Sequence, residues 1–426
     1  MRRALCCLVL GLLPLGAAAQ GFFTLKGHGG PVMGIAAAPD GTIATASFDN
    51  AVGLWRAGVP QWLDGHTAAV TTVIFGPDGP VSAGDDFTVR QWQPDRILGR
   101  HKGKVAGLAA APGLIASASW DGSIGLWPLD GRPARRLTGH KAGVNGVAFS
   151  ADHSHLYSAS ADGTLRRWDV RTGTQDRTLL RHGFGINKLV LGPDDAWLAY
   201  GAVDGVTRVI DPDTGMQLRD FTLDRRPILA LALSPDGGLL AVGDGEGYIM
   251  LIDTRHWRIA QDFRATLKGP VWALAFSPDG QNIHAGGLDD ALYSWPVASL
   301  DGADPMATAE RSFLKPPEQM SNGERQFARK CSICHTLTPD SARRAGPTLH
   351  RVFGRRAGTV ADYSYSDILD GSDIVWDDTT IDALFDLGPD HYIPGSKMPM
   401  QRITDPADRR DLIAYLKRAS EGDTPE

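Results

Sequence analysis

A turn motif recurs seven times along the N-terminal part of this chain, and its spacing limits what the chain can fold into. It reads Ala38-Pro39-Asp40-Gly41, Gly76-Pro77-Asp78-Gly79, Ala111-Pro112-Gly113, Ser150-Ala151-Asp152, Gly192-Pro193-Asp194, Ser234-Pro235-Asp236-Gly237 and Ser277-Pro278-Asp279-Gly280. The Pro positions, with Ala151 in the fourth place, are separated by 38, 35, 39, 42, 42 and 43 residues. A period near 40 is the mark of a propeller or a solenoid. Between the turns apolar residues alternate, as in Val144-Asn145-Gly146-Val147-Ala148-Phe149, which is strand patterning rather than helix. Each unit ends in a second strand pair around a polar turn, for example Ser160 to Asp169. Four short strands per unit make a propeller blade.

On these residues the units resemble WD repeats. His28, His66 and His140 follow a Gly, and His101 and His182 follow an Arg. Each lies ten residues before the small residue that opens the Pro-Asp turn. Trp55, Trp92, Trp127, Trp168 and Trp295 end five repeats, with Ile210 and Ile252 in the other two. Six residues earlier stand Asp49, Asp86, Asp121, Asp162, Asp204, Glu246 and Asp289. The resemblance implies that His, Asp and a strand Ser or Thr form a hydrogen-bonded network in each blade. Asp224 and Leu267 stand where the sixth and seventh His would be, so those two networks are expected to be incomplete and their blades looser or braced. The tryptophans are expected to serve blade packing. The histidines recur once per blade, too far apart for a metal site. Phe22-Phe23-Thr24-Leu25 precedes the first turn as an orphan strand, while the last repeat stops at its third strand near Trp295. Pairing the two closes the ring and removes both open edges.

The chemistry lies further on, in Cys331-Ser332-Ile333-Cys334-His335. Cys-x-x-Cys-His is the attachment motif of a covalent c-type haem. Two thiols at this spacing add to two vinyl groups on one side of the porphyrin, and the following His faces the iron as proximal ligand. A redox dithiol would want a βαβ context, and zinc would want a second ligand pair. The chain has four cysteines, the others being Cys6 and Cys7. These lie in MRRALCCLVLGLLPLGAAAQ, whose charged start, short apolar run and small residues describe a secretory signal peptide cleaved after Ala19. The run is too short for a membrane span, so the mature chain is expected to carry no transmembrane segment and to be periplasmic. Only the motif pair then remains, which leaves no disulfide framework.

Residues 320–420 resemble a class I cytochrome c, close to the mitochondrial type. Gly323 and Phe327 match the family's first helix, and Asp411 to Lys417 match the last, which crosses the first through a Gly and aromatic contacts. Pro347 lies twelve residues after His335, and the resemblance makes its carbonyl the acceptor for the second imidazole nitrogen. Phe353-Gly354-Arg355, Tyr363-Ser364-Tyr365 and Ile374-Val375-Trp376 match segments that hold the haem propionates, with Arg355, Tyr365 and Trp376 as donors. Tyr392 to Met400 resembles the family's Met loop and assigns the sixth iron ligand to Met398, 63 residues after His335, with Met400 as competitor. A His/Met iron suits outer-sphere electron transfer and leaves no position for substrate. The family's ring of lysines is mostly replaced by Arg343, Arg344, Arg351, Arg355 and Arg356, with Lys397 nearby. From Glu318 onward, 14 Lys and Arg stand against 18 Asp and Glu, so an acidic partner steered by charge is only weakly indicated.

The expected fold class is therefore multidomain: an all-β seven-bladed WD-type propeller followed by an all-α class I cytochrome c domain. The expected boundaries are signal peptide 1–19, propeller 22–297, linker 298–319, cytochrome domain 320–420 and polar tail 421–426. One haem c per chain is expected. A net charge of −6 argues against a nucleic-acid partner. The functional expectation is a periplasmic electron carrier with a redox partner protein and a second protein docked on the propeller. The alternative is a periplasmic oxidoreductase with its active site in the propeller. Quinoprotein dehydrogenases and haem d nitrite reductases join propellers to c domains in this general way, but with eight blades.

Overall fold

The computed structural model describes residues 21–421 apart from 224–226, 267–268, 303–318, 342–343, 364, 367, 370 and 399–400. The signal peptide, most of the linker, the polar tail beyond Glu421, Arg343, Met400, and the Asp224 and Leu267 positions thus lie outside the described residues.

Seven four-stranded antiparallel sheets follow one another. An isolated first strand, β1 (Phe23–Lys26), precedes the first blade, which comprises β2 (Val32–Ala37), β3 (Ile43–Ser47), β4 (Ala51–Arg56) and β5 (Val59–Asp64). β6 to β9 cover 70–100, β10 to β13 cover 105–138, β14 to β17 cover 144–181, β18 to β21 cover 186–220, and β22 to β25 cover 228–264. The seventh blade is built from β26 (Val271–Phe276), β27 (Asn282–Gly287) and β28 (Ala291–Pro296), and β1 completes it. Phe23, Thr24, Leu25 and Lys26 pair antiparallel with Ser294, Tyr293, Leu292 and Ala291. The ring is closed as expected, by a strand from the other end of the repeat array.

The second strand of each blade is sandwiched between neighbouring blades, so it is buried on both faces; all five residues of β3 are buried. The cores lie between blades rather than within them. Ala44, Val52 and Leu54 of the first blade pack with Val70, Val73 and Trp92 of the second. Full burial of such aliphatic side chains contributes about 1.5–3 kcal/mol each, and each blade depends on both neighbours for it.

Among the described residues the C-terminal domain has four helices: α1 (Asn322–Lys330), α2 (Asp378–Leu387), α3 (Pro389–Tyr392) and α4 (Pro406–Ser420). The Ser321 hydroxyl caps α1 by accepting from the Glu324 N–H, and the Asp377 carboxylate caps α2. α1 and α4 cross at Gly323. A Cβ there would lie 2.0 Å from the Asp411 carbonyl oxygen and 2.8 Å from Tyr415 Cβ, so only glycine permits this approach. Phe327 and Tyr415 meet beside it, their ring centres 5.5 Å apart. Phe327, Leu384, Phe385, Leu412 and Leu416 make one buried cluster with Cys331.

Candidate functional site

The motif cysteines follow directly from the end of α1. Cys331 N–H donates to the Phe327 carbonyl, and both Cys334 and His335 N–H groups donate back to the Cys331 carbonyl at 3.0 and 2.9 Å. This tight turn puts two thiols and an imidazole on one cavity wall. Burial pushes the Cys331 thiol up to about 12 and the Cys334 thiol up to about 11. A redox dithiol needs a depressed thiol pKa, so the environment opposes that reading.

His335 is half-buried, and desolvation holds its imidazole below the ordinary His value against the opposing Pro347 hydrogen bond. Its Nδ1 lies 2.7 Å from the Pro347 carbonyl oxygen. A carbonyl only accepts, so Nδ1 carries the proton and Nε2 keeps its lone pair for an electrophile. Gly346 makes room for the ring: a Cβ there would approach Cε1 to 2.4 Å. The Gly346 N–H in turn donates to the Cys334 carbonyl at 2.7 Å, tying this segment to the motif.

Met398 enters the same cavity from the loop after α3. Arg355, Tyr365 and Trp376 also line it, so the residues singled out in the sequence converge on one site. Arg355 donates to the His350 carbonyl at 2.8 Å and the Thr348 carbonyl at 2.5 Å, which fixes its guanidinium at the wall. The backbone of Trp376 pairs with Gly354 and Arg355. Tyr363 also lines the cavity and donates to the Ala345 carbonyl at 2.6 Å.

The cavity measures about 520 Å³, within the roughly 300–1,000 Å³ typical of cofactor and small-molecule sites. Its walls are mainly apolar, with Leu349, Val352, Ile381, Leu384 and Phe385 among them. Two hydroxyls in the wall, Ser366 and Ser396, are buried with no hydrogen-bond partner. A buried hydroxyl without a partner is costly, so the site is shaped for something that brings acceptors. Two thiols, an imidazole nitrogen, a thioether and unsatisfied donors around an apolar slot fit a haem attached through both cysteines. Neither serine was legible as a site residue, because an isolated Ser in a loop carries no pattern.

In the propeller, the expected networks are complete in four blades. His140 Nδ1 lies 2.9 Å from the Asp162 carboxylate and Nε2 lies 2.8 Å from Ser158 Oγ, which is also 2.8 Å from Trp168 Nε1. The indole can only donate, so Ser158 accepts from it and gives its single proton to His140 Nε2; His140 then donates from Nδ1 to Asp162. His28 with Thr45, His66 with Ser82, and His101 with Ser117 repeat this chain to Asp49, Asp86 and Asp121, with Trp55, Trp92 and Trp127 as donors. The tryptophans are therefore network members as well as packing residues, and a Ser or Thr ten residues before each Trp was the available signal.

The departures begin one blade earlier than the missing histidines indicate. In the fifth blade Tyr200 takes the Ser/Thr place, and His182 turns its Nε2 to Asp204 at 3.0 Å. In the sixth, Val242 stands there, and the buried Asp244 accepts from the Glu246 and Tyr248 N–H groups. In the seventh it is Ala285, and Trp295 donates to the Ala265 carbonyl at 3.2 Å. Among the described residues, no three His, Cys, Asp or Glu side chains gather as a metal site.

Fold and site together define a class, a WD-type propeller joined to a covalent-haem domain. The family described as WD domain, G-beta repeat matches residues 21–56, 59–93, 131–169 and 261–295, and the cytochrome c family matches residues 320–420. Cytochrome c of Sesamum indicum is 42% identical over 106 residues, which are 25% of this chain and 94% of that protein. Cytochrome c of Theileria parva is 40% identical over 115 residues, 27% of this chain and 98% of that protein, and that of Ginkgo biloba is 41% identical over 105 residues, 25% and 92%. Through its C-terminal domain the chain belongs to the cytochrome c family, and this membership implies a covalently bound haem c.

Proposed function

We propose that this chain is a periplasmic electron-transfer protein carrying one haem c, with the propeller as a docking scaffold for a partner protein. The observation that carries the proposal is the meeting of Cys331, Cys334, His335 and Met398 in one apolar cavity, with His335 oriented by the Pro347 carbonyl. When bound, the haem would supply a reversible one-electron couple, held by Cys331 and Cys334 and ligated by His335 and Met398. Pro347 holds His335 in the tautomer that offers Nε2, and Met398 offers a thioether from the facing loop. The apolar wall excludes water, which together with a thioether ligand favours a raised reduction potential. Arg355, Tyr365 and Trp376, with Ser366 and Ser396, would be the donors for the propionates. Export is supported by the signal-like first 19 residues and by the restriction of the remaining cysteines to the motif.

The test is direct. Denaturing electrophoresis with a haem-peroxidase stain should colour the full-length band, and iron analysis should give one atom per chain. Cys331→Ser with Cys334→Ser should abolish the stain. Haem that extracts into acid acetone refutes covalent attachment. A second metal or chromophore in protein from its own host refutes the carrier reading in favour of a catalytic propeller.

A further inference from the structure

The haem cavity is not walled by the cytochrome domain alone. Phe48, Asn50, Thr67, Ala68 and Asp85 of the propeller line it as well. Phe48 and Asn50 sit in the β3–β4 turn of the first blade, Asp85 in the equivalent turn of the second, and Thr67 and Ala68 in the loop between these blades. All belong to one face of the ring. The same networks that lock the blades hold these turns in place: Gly29 N–H donates to Asp49 at 2.9 Å, and Thr67 N–H donates to Asp86 at 3.2 Å. On the seventh blade, Asp290 reaches Arg344 of the cytochrome domain at 3.9 Å, just before the Gly346 that seats His335.

We propose that this propeller face, formed by turns of blades seven, one and two, is the binding surface for the chain's own cytochrome domain. It closes the open side of the haem cleft, so that large redox partners exchange electrons only when the domain is unseated. The proposal rests on the haem-carrier reading for its redox consequence. The surface suits a reversible closure. The Arg344–Asp290 pair is long and partly solvated, so it holds the domains only weakly, and the rest comes from a small patch around Phe48 and Ala68. The contact is thus a latch rather than a fixed interface. The preformed turns keep the ordering cost of closing low.

The experiment uses the full haem-loaded chain and the double variant Asp290→Arg with Ala68→Arg, which sets like charge against Arg344 and fills the cavity mouth. Oxidation is followed by stopped flow with two acceptors, a small cobalt(III) complex and a blue-copper protein, and small-angle scattering reports domain separation. The variant should react about tenfold faster with the copper protein, as when an open fraction near one in ten becomes dominant. Its rate with the cobalt complex should change less than about twofold, because a small reagent already reaches the closed cleft. Scattering should show a compact native chain and an extended variant. Asp130→Arg, in the turn between β12 (Ser123–Pro128) and β13 (Arg135–Thr138) on the opposite face, should leave both rates unchanged. Equal rates for native chain and double variant, separated domains in the native chain, or an equal acceleration by Asp130→Arg would each overturn the proposal. Scattering reads closure with or without haem, so a chain lacking a c-type spectrum would refute the carrier reading while closure is still decided.

Discussion

Gly323→Ala tests whether the α1–α4 crossing sets the stability of the haem domain. The added Cβ would sit 2.0 Å from the Asp411 carbonyl oxygen, 2.7 Å from its carbon and 2.8 Å from Tyr415 Cβ. Two of these are backbone atoms, so no side-chain rotation relieves the clash. The helices must separate by more than an ångström, loosening Phe327 against Leu412 and Leu416. Overpacking of this kind costs about 1–3 kcal/mol, and occasionally more. The backbone contact places this case at or above the top of that range. The gain in helix propensity offsets up to about 1 kcal/mol, leaving a net loss of about 2 kcal/mol. For a domain of this size that is roughly 8–16 °C in Tm. The assay is thermal unfolding of the haem-loaded chain, with haem absorption reporting the cytochrome domain and far-ultraviolet dichroism in the strand region reporting the propeller. The haem transition should drop while the propeller transition stays within about 2 °C. An unchanged or raised haem transition would mean that the helices do not cross at this glycine.

Met398→Ala should remove the near-infrared Met-to-iron band, lower the potential and admit exogenous ligands; if Met400→Ala does this instead, the loop assignment is wrong. Ser158→Ala leaves the Trp168 and His140 nitrogens buried without partners, at about 1–3 kcal/mol each, so the urea midpoint of the propeller should fall clearly, and a midpoint like that of the native chain would sink the network account. Acid should weaken the propeller in two stages. Burial holds His101 and His140 below the ordinary His value, so the unfolded chain takes up their protons first and stability falls as pH drops below about 6.5. Burial would raise the Asp86 carboxyl, but hydrogen bonds from His66 and Thr88 outweigh it and lower it to about 2, so a further loss follows as pH falls from about 4 through that value. Midpoints flat between pH 7 and 3 would contradict both assignments.

Sequence carried the architecture because each blade repeats its own instructions: the Pro-Asp turn, the His, the Asp and the Trp sit at fixed spacings that survive without knowledge of the fold. The haem residues were legible for a related reason, since attachment chemistry forces Cys331, Cys334 and His335 to be neighbours in the chain. Tyr200, Val242 and Ala285 were harder. They stand ten residues before Ile210, Ile252 and Trp295, where the other four blades carry Ser or Thr, but what replaces the lost network depends on which side chains they face. The cleft wall contributed by Phe48 and Asp85 was not legible at all. Contacts between two domains of different architecture leave no periodicity, and nothing local to those turns marks them as neighbours of His335.

Pairing β1 with β28 also orders events in time. The first strand of the ring must wait, unpaired, until the last has taken its place, since its partner is the final strand of the final blade. Until then the array has two raw edges and its seventh blade is missing a strand. The entropic cost of bringing such distant ends together grows only logarithmically with their separation, and the blades built in between hold the ends on a curve that points them at each other. A chain cut short before β28 therefore stays an open ring, with β1 left unpaired.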